Sequence, residues 1–164
     1  NVLMKYPDGS TVRLGDLVWW DEGNSIGRII GINETKEECT NWGVEDPGVA
    51  ICYDGSGIGG LFIGYPQRAF AEEGIRRLTL DEERKLDDVF QAARSYSSEK
   101  SVEITTGLFR KERNGLEYWS VVFYRNREAL RVIEVAASNL SCREIPLKES
   151  GLFYDLTGSN QSGQ

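Results

Sequence analysis

The chain has 164 residues, 40% hydrophobic and 27% charged, which is enough apolar content to pack one domain or two small ones. It contains no histidine, which excludes His-based catalytic triads, His metal ligands and His pH switches. Acids outnumber bases 26 to 19, and a net charge of −7 argues against nucleic-acid or anionic-membrane binding, both of which depend on Lys and Arg.

Met4, the only methionine, is read as the native first residue, with Asn1, Val2 and Leu3 extraneous to it. No apolar signal-peptide core follows it, and no apolar run approaches the roughly 18 residues of a membrane span. Cys39, Cys52 and Cys142 are odd in number and form no CxxC pair, so three free thiols in a reducing cytoplasm are expected, with no metal and no cofactor.

Thirteen of the 18 glycines lie in residues 1–79. There the pattern predicts short strands at Ser10–Leu14, Leu17–Trp20, Ile26–Ile32, Val49–Tyr53, Gly60–Gly64 and Ile75–Leu78. Asp8-Gly9, Gly15-Asp16 and the polar tip Asp21-Glu22-Gly23-Asn24 supply the turns. This arrangement predicts a small SH3-like antiparallel β-barrel over residues 1–79. Gly55–Gly60 spells GxGxxG, but Leu61–Ile63 after it is a strand pattern, so a hairpin turn rather than a dinucleotide site is expected.

The boundary is placed at Thr79, where Thr79-Leu80-Asp81-Glu82 forms a capping box. Leu86, Val89, Phe90 and Ala93 then make one apolar stripe of a helix over about Leu80–Tyr96. Alternation of period two returns at Val102 and Ile104, and Asn114-Gly115 joins Gly107–Arg113 to Leu116–Tyr124 as a hairpin. A further strand carries Ile133, Val135 and Ala137 on one face. Residues 80–156 are therefore read as a helix plus an antiparallel β-meander, and 157–164 as a disordered tail. The fold class is α+β.

Asp87-Asp88 and Glu82-Glu83 lie on the polar side of the helix, and no Ser or Cys has a His partner, so no enzyme is expected. Arg110, Lys111 and Arg113, with Arg125, Arg127 and Arg131 near the next turn, are diluted by Glu112, Glu117 and Glu128 and are read as a mixed sheet edge. The connection Asn33–Asp46 is more informative. Glu34, Glu37, Glu38, Glu45 and Asp46 oppose only Lys36 there, and Trp42 sits in the middle. An aromatic anchor ringed by acids suits a basic partner. Glu37, Glu38, Trp42, Glu45 and Asp46, with Asp21 and Glu22 of the acidic tip, form the candidate partner-binding set.

The opening Met4-Lys5-Tyr6-Pro7-Asp8-Gly9, then Val12-Arg13-Leu14-Gly15-Asp16-Leu17-Val18 and Gly27-Arg28-Ile29, resembles the start of a family of bacterial polymorphic-toxin immunity proteins. The resemblance spans roughly residues 4–78. It implies a cytoplasmic antitoxin that binds a cognate toxin domain and blocks its active site without doing chemistry. The alternative is an SH3-like reader or scaffold module that binds a peptide or nucleic acid through Trp19, Trp20 and Tyr53.

Overall fold

A computed structural model describes residues 4–52, 60–65, 67–97, 103–104, 108–125 and 128–149. The expected hairpin turn at 55–60, Tyr53 and the tail 157–164 lie wholly or largely outside them.

The described chain is α+β, with two α-helices and ten strands in one antiparallel sheet system. β1 (Leu17–Trp20) and β2 (Ser25–Asn33) form the first hairpin, joined by a 3-10 turn at Asp21–Gly23. β3 (Gly48–Cys52) pairs with β2 on one side and β4 (Gly60–Gly64) on the other. β5 (Arg76–Arg77) closes on β1. After α2 (Leu80–Ser97) come β6 (Glu103–Ile104), β7 (Leu108–Arg113), β8 (Leu116–Arg125), β9 (Glu128–Ala136) and β10 (Cys142–Ile145).

The expected closed barrel does not form. Among the described residues β4 pairs only with β3, and β5 only with β1, so the first half is an open, bent sheet. The chain between them is taken up by a π-helical turn at Gln67–Glu72 and by Gly74 at φ +63°, which leaves β5 two residues long. The expected strand Ser10–Leu14 reduces to a single bridge between Lys5 and Thr11, because Gly9 and Gly15 turn the chain at both ends. β10 was missed by the pattern, since only Ile145 of its four residues is fully buried.

Hydrogen bonding crosses the 79/80 boundary: Ser25 and Ile26 of β2 pair with Phe109 and Leu108 of β7. One core sits beneath α2 and draws on both sides of it, with Trp19 and Ile26 meeting Leu86, Val89, Trp119, Val121, Phe123 and Ile133. A second core holds Met4, Tyr6, Val18, Ile29, Ile51, Ile63 and Ile75. Adjacent strand residues point to opposite faces, so Trp19 enters the first core while Trp20 packs against the second, and neither turns outward as a free platform.

Candidate functional site

The connection after β2, to which the sequence reading assigns neither strand nor helix, contains α1 (Lys36–Trp42). Its start is a capping arrangement. The Glu38 N–H donates to Thr35 Oγ1 (3.2 Å), and Glu38 Oε2 accepts from the Glu34 N–H (3.0 Å). Its end is a Schellman turn, in which Gly43 at φ +70° lets its own N–H reach the Thr40 carbonyl and the Val44 N–H the Cys39 carbonyl (2.9 Å). Cys39 is the residue of α1 that is buried.

This geometry fixes Trp42 at the last helical position and lays its indole across the sheet. A Cβ placed on Gly31 of β2 would stand 2.7 Å from Trp42 Cζ2 and 3.3 Å from Ala50 Cβ. Gly31, Ala50 and Phe62 are opposite one another in β2, β3 and β4, so they share one face. Phe62 in turn covers Gly48, where a Cβ would lie 2.5 Å from Phe62 Cζ. Two aromatic rings thus sit on glycine positions next to Ala50, Trp42 on its cross-strand partner Gly31 and Phe62 on Gly48, two residues before it in β3. Trp42 keeps 47% of its surface exposed.

Glu37, Glu45 and Asp46 are exposed and make no ion pair with any described residue; Glu45 and Asp46 follow Trp42 closely in the chain, whereas Glu37 lies about 140° around α1 from it. Glu38 is half-buried and works as the helix cap. Of the candidate set from sequence, α1 and the segment after it therefore carry Glu37, Glu38, Trp42, Glu45 and Asp46 in one stretch, with Glu37 turned away from the indole. Asp21 and Glu22 do not join them. They lie at the Ser25 end of β2 while α1 follows its Asn33 end, roughly 26 Å away at the usual rise per strand residue. Both take left-handed backbone, at φ +52° and +53°, held by the Glu22 N–H to Glu73 carbonyl bond (2.9 Å). Phe62 is the member that sequence reasoning missed. Its only signal was its place in an uncharged strand, and its position on the sheet face that carries Trp42 depends on the register of three strands.

A second concavity, a cleft of about 820 Å³, lies between the N-terminal half of α2 and the sheet. Trp19 and Trp119 line it with centroids 5.7 Å apart. The guanidinium groups of Arg76 and Arg110 stand 5.2 Å and 5.9 Å from the Trp19 ring. Glu82 ties this wall together. It accepts from Trp19 Nε1 (2.9 Å), from Arg76 through both oxygens (3.0 and 3.1 Å) and from the Thr79 N–H (2.9 Å). The Arg76 hydrogen bonds, against the opposing effect of burial, pull its carboxyl down to about 2. Arg110 in turn faces Glu117 at 3.7 Å. The Trp19 ring that would serve a reader module is thus already covered by the chain's own side chains.

The arginines read from sequence as part of a mixed sheet edge divide between the two faces of the sheet. Arg110 enters the cleft, whereas Arg113 and Arg143 bracket Glu134 on the opposite sheet face. Among the described residues no group of three or more Cys, Asp or Glu is placed to hold a metal ion, and no helix is long and apolar enough to cross a membrane.

Compared with known proteins, the chain matches no family model, and no curated protein or solved structure matches it significantly.

Proposed function

We propose that this chain is an immunity protein that neutralises a basic toxin domain in the cytoplasm by covering its active site with the Trp42 face. The observation that carries the reading is the half-exposed Trp42 indole, held on Gly31 with Phe62 on the same sheet face, and followed closely in the chain by exposed Glu45 and Asp46, which have no ion pair with any described residue. A rigid aromatic surrounded by polar residues has the anatomy of a binding hot spot. Unneutralised acids raise the rate of encounter with a basic cleft and disfavour acidic competitors. The resemblance over residues 4–78 points the same way, and the bent first-half sheet is read as an open SH3-like variant. No chemistry is assigned to the chain; it acts by occupying its partner.

The test is co-expression with the toxin domain that this reading requires to be encoded beside this gene. Growth is rescued by the wild-type chain and lost with Trp42→Ala combined with Glu37→Gln, Glu45→Gln and Asp46→Asn. Failure of the wild-type chain to rescue sinks the reading.

A further inference from the structure

We infer that β4 is a docking edge, which takes up an extended, lysine- or arginine-bearing segment of the protein partner as an added antiparallel strand. The inference rests on the proposed function for the partner's identity and names how that partner is held.

Four strands have a single partner among the described residues: β4, β5, β6 and β10. Three of them carry charge, with Arg76 and Arg77 in β5, Glu103 in β6, and Arg143 and Glu144 in β10. Charge on an edge strand is the usual protection against pairing with another chain. β4 reads Gly60-Leu61-Phe62-Ile63-Gly64 and has none.

The backbone groups that it offers follow from one bond. The Tyr65 N–H donates to the Pro47 carbonyl at 2.9 Å. Peptide groups alternate sides along a strand, so Leu61 and Ile63 also point toward β3. The N–H and C=O groups of Gly60, Phe62 and Gly64 therefore face away from it. The same three residues share the sheet face that carries Phe62, and Gly64 has nothing within 4 Å of where a Cβ would lie. Side chains of an added strand have room there beside the Phe62 ring.

Charge selects the occupant. Asp46 immediately precedes Pro47, so it and Glu45 stand at the Gly64 end of the edge, and neither has an ion-pair partner among the described residues. An added strand with basic residues at that end satisfies them, whereas a second copy of this chain, at net charge −7, brings more acid. Main-chain bonds supply affinity in such strand addition and alternate side chains supply the selection.

The test uses the full 15N-labelled chain and the synthetic peptide acetyl-Lys-Val-Lys-Val-Lys-Val-Lys-amide, with the Glu-for-Lys peptide as control. At saturation the Phe62 and Gly64 amides are expected to exchange about tenfold more slowly, while Leu61 and Ile63, already bonded to β3, change little. Gly64→Pro removes an outward N–H without touching the ladder and is expected to weaken peptide binding about tenfold, while Gly64→Ala stays within about twofold of wild type. The wild-type exchange pattern decides the matter even where Gly64→Pro folds poorly. The inference is overturned by absence of binding, by binding that leaves Phe62 and Gly64 unprotected, or by equal binding of the Glu peptide. Protection of the same amides that rises with protein concentration without peptide also overturns it, by naming a second copy as the occupant. Any of these leaves the Trp42 co-expression result standing, and failure of that result leaves the peptide measurement intact.

Discussion

The Trp42 indole rests on the bare Cα of Gly31, which leaves no room for a side chain: a Cβ there would stand 2.7 Å from Cζ2 of the ring. The contact joins the end of a seven-residue helix to the last third of a nine-residue strand. It explains how a short, polar helix holds an aromatic ring at half exposure.

Gly31→Ala is expected to lift the indole off the sheet at a small stability cost, because the obstructing atoms are the far end of a half-exposed side chain. Tryptophan fluorescence should shift to the red. Gly48→Ala should behave differently, since its Cβ would meet the backbone oxygen of Ile63 at 2.4 Å as well as the Phe62 ring. Overpacking against backbone costs about 1–3 kcal/mol. Thermal unfolding of the two variants checks the order, with Gly48→Ala the less stable.

Glu82 makes stability pH-dependent in a defined window. Its carboxyl lies at about 2 in the folded chain, against an ordinary 4.5. A depressed carboxyl contributes stability that is fully present above about 4.5 and lost as pH falls through about 2. Arg76 is more than half exposed, so solvent screening reduces the gain to about 1–2 kcal/mol. Urea unfolding of wild type and Glu82→Gln should differ by that amount at pH 6 and converge near pH 2. A gap that persists at pH 2 would contradict the assignment.

Glu134 is 2% exposed and is bracketed by Arg113 and by Arg143 at 2.9 Å. Burial pushes its carboxyl up, but the two guanidinium groups hold it below the ordinary range. Removing both arginines strands a buried charge, so Arg113→Ala with Arg143→Ala is expected to cost about 3 kcal/mol. Adding Glu134→Leu should recover most of that loss, because an apolar side chain needs no partner there. Denaturant midpoints of the double and triple variants read the difference.

What was legible in the sequence was local. The Thr79–Glu82 capping box is present, with the Glu82 N–H donating to Thr79 Oγ1 (3.2 Å) and the Thr79 N–H to Glu82 Oε1 (2.9 Å). Asn114 and Gly115 take the left-handed pair, at φ +54° and +76°, that a tight hairpin requires. Most strands fall within a residue or two of their expected ends. The α1 helix escaped because Cys39 and Trp42 are its only apolar residues, so no stripe marked it, although Thr35-x-x-Glu38 and Gly43 were both there to read. Sheet continuity escaped because Ser25 and Phe109 pair across more than half the chain. The site divided along the same line. Trp42 and its neighbouring acids were visible in one stretch of sequence, whereas Phe62, and the separation of Asp21 and Glu22 from α1, are set by strand register alone.

The most direct measurement is the affinity of the toxin domain that the proposed function requires next to this gene, for the wild-type chain and for Trp42→Ala, titrated at physiological salt. With Trp42 as the anchor of the interface, the variant is expected to bind about 30-fold more weakly, the effect of a ~2 kcal/mol hot spot. Equal affinity of the two chains would contradict the assignment of the Trp42 face as the partner-binding surface.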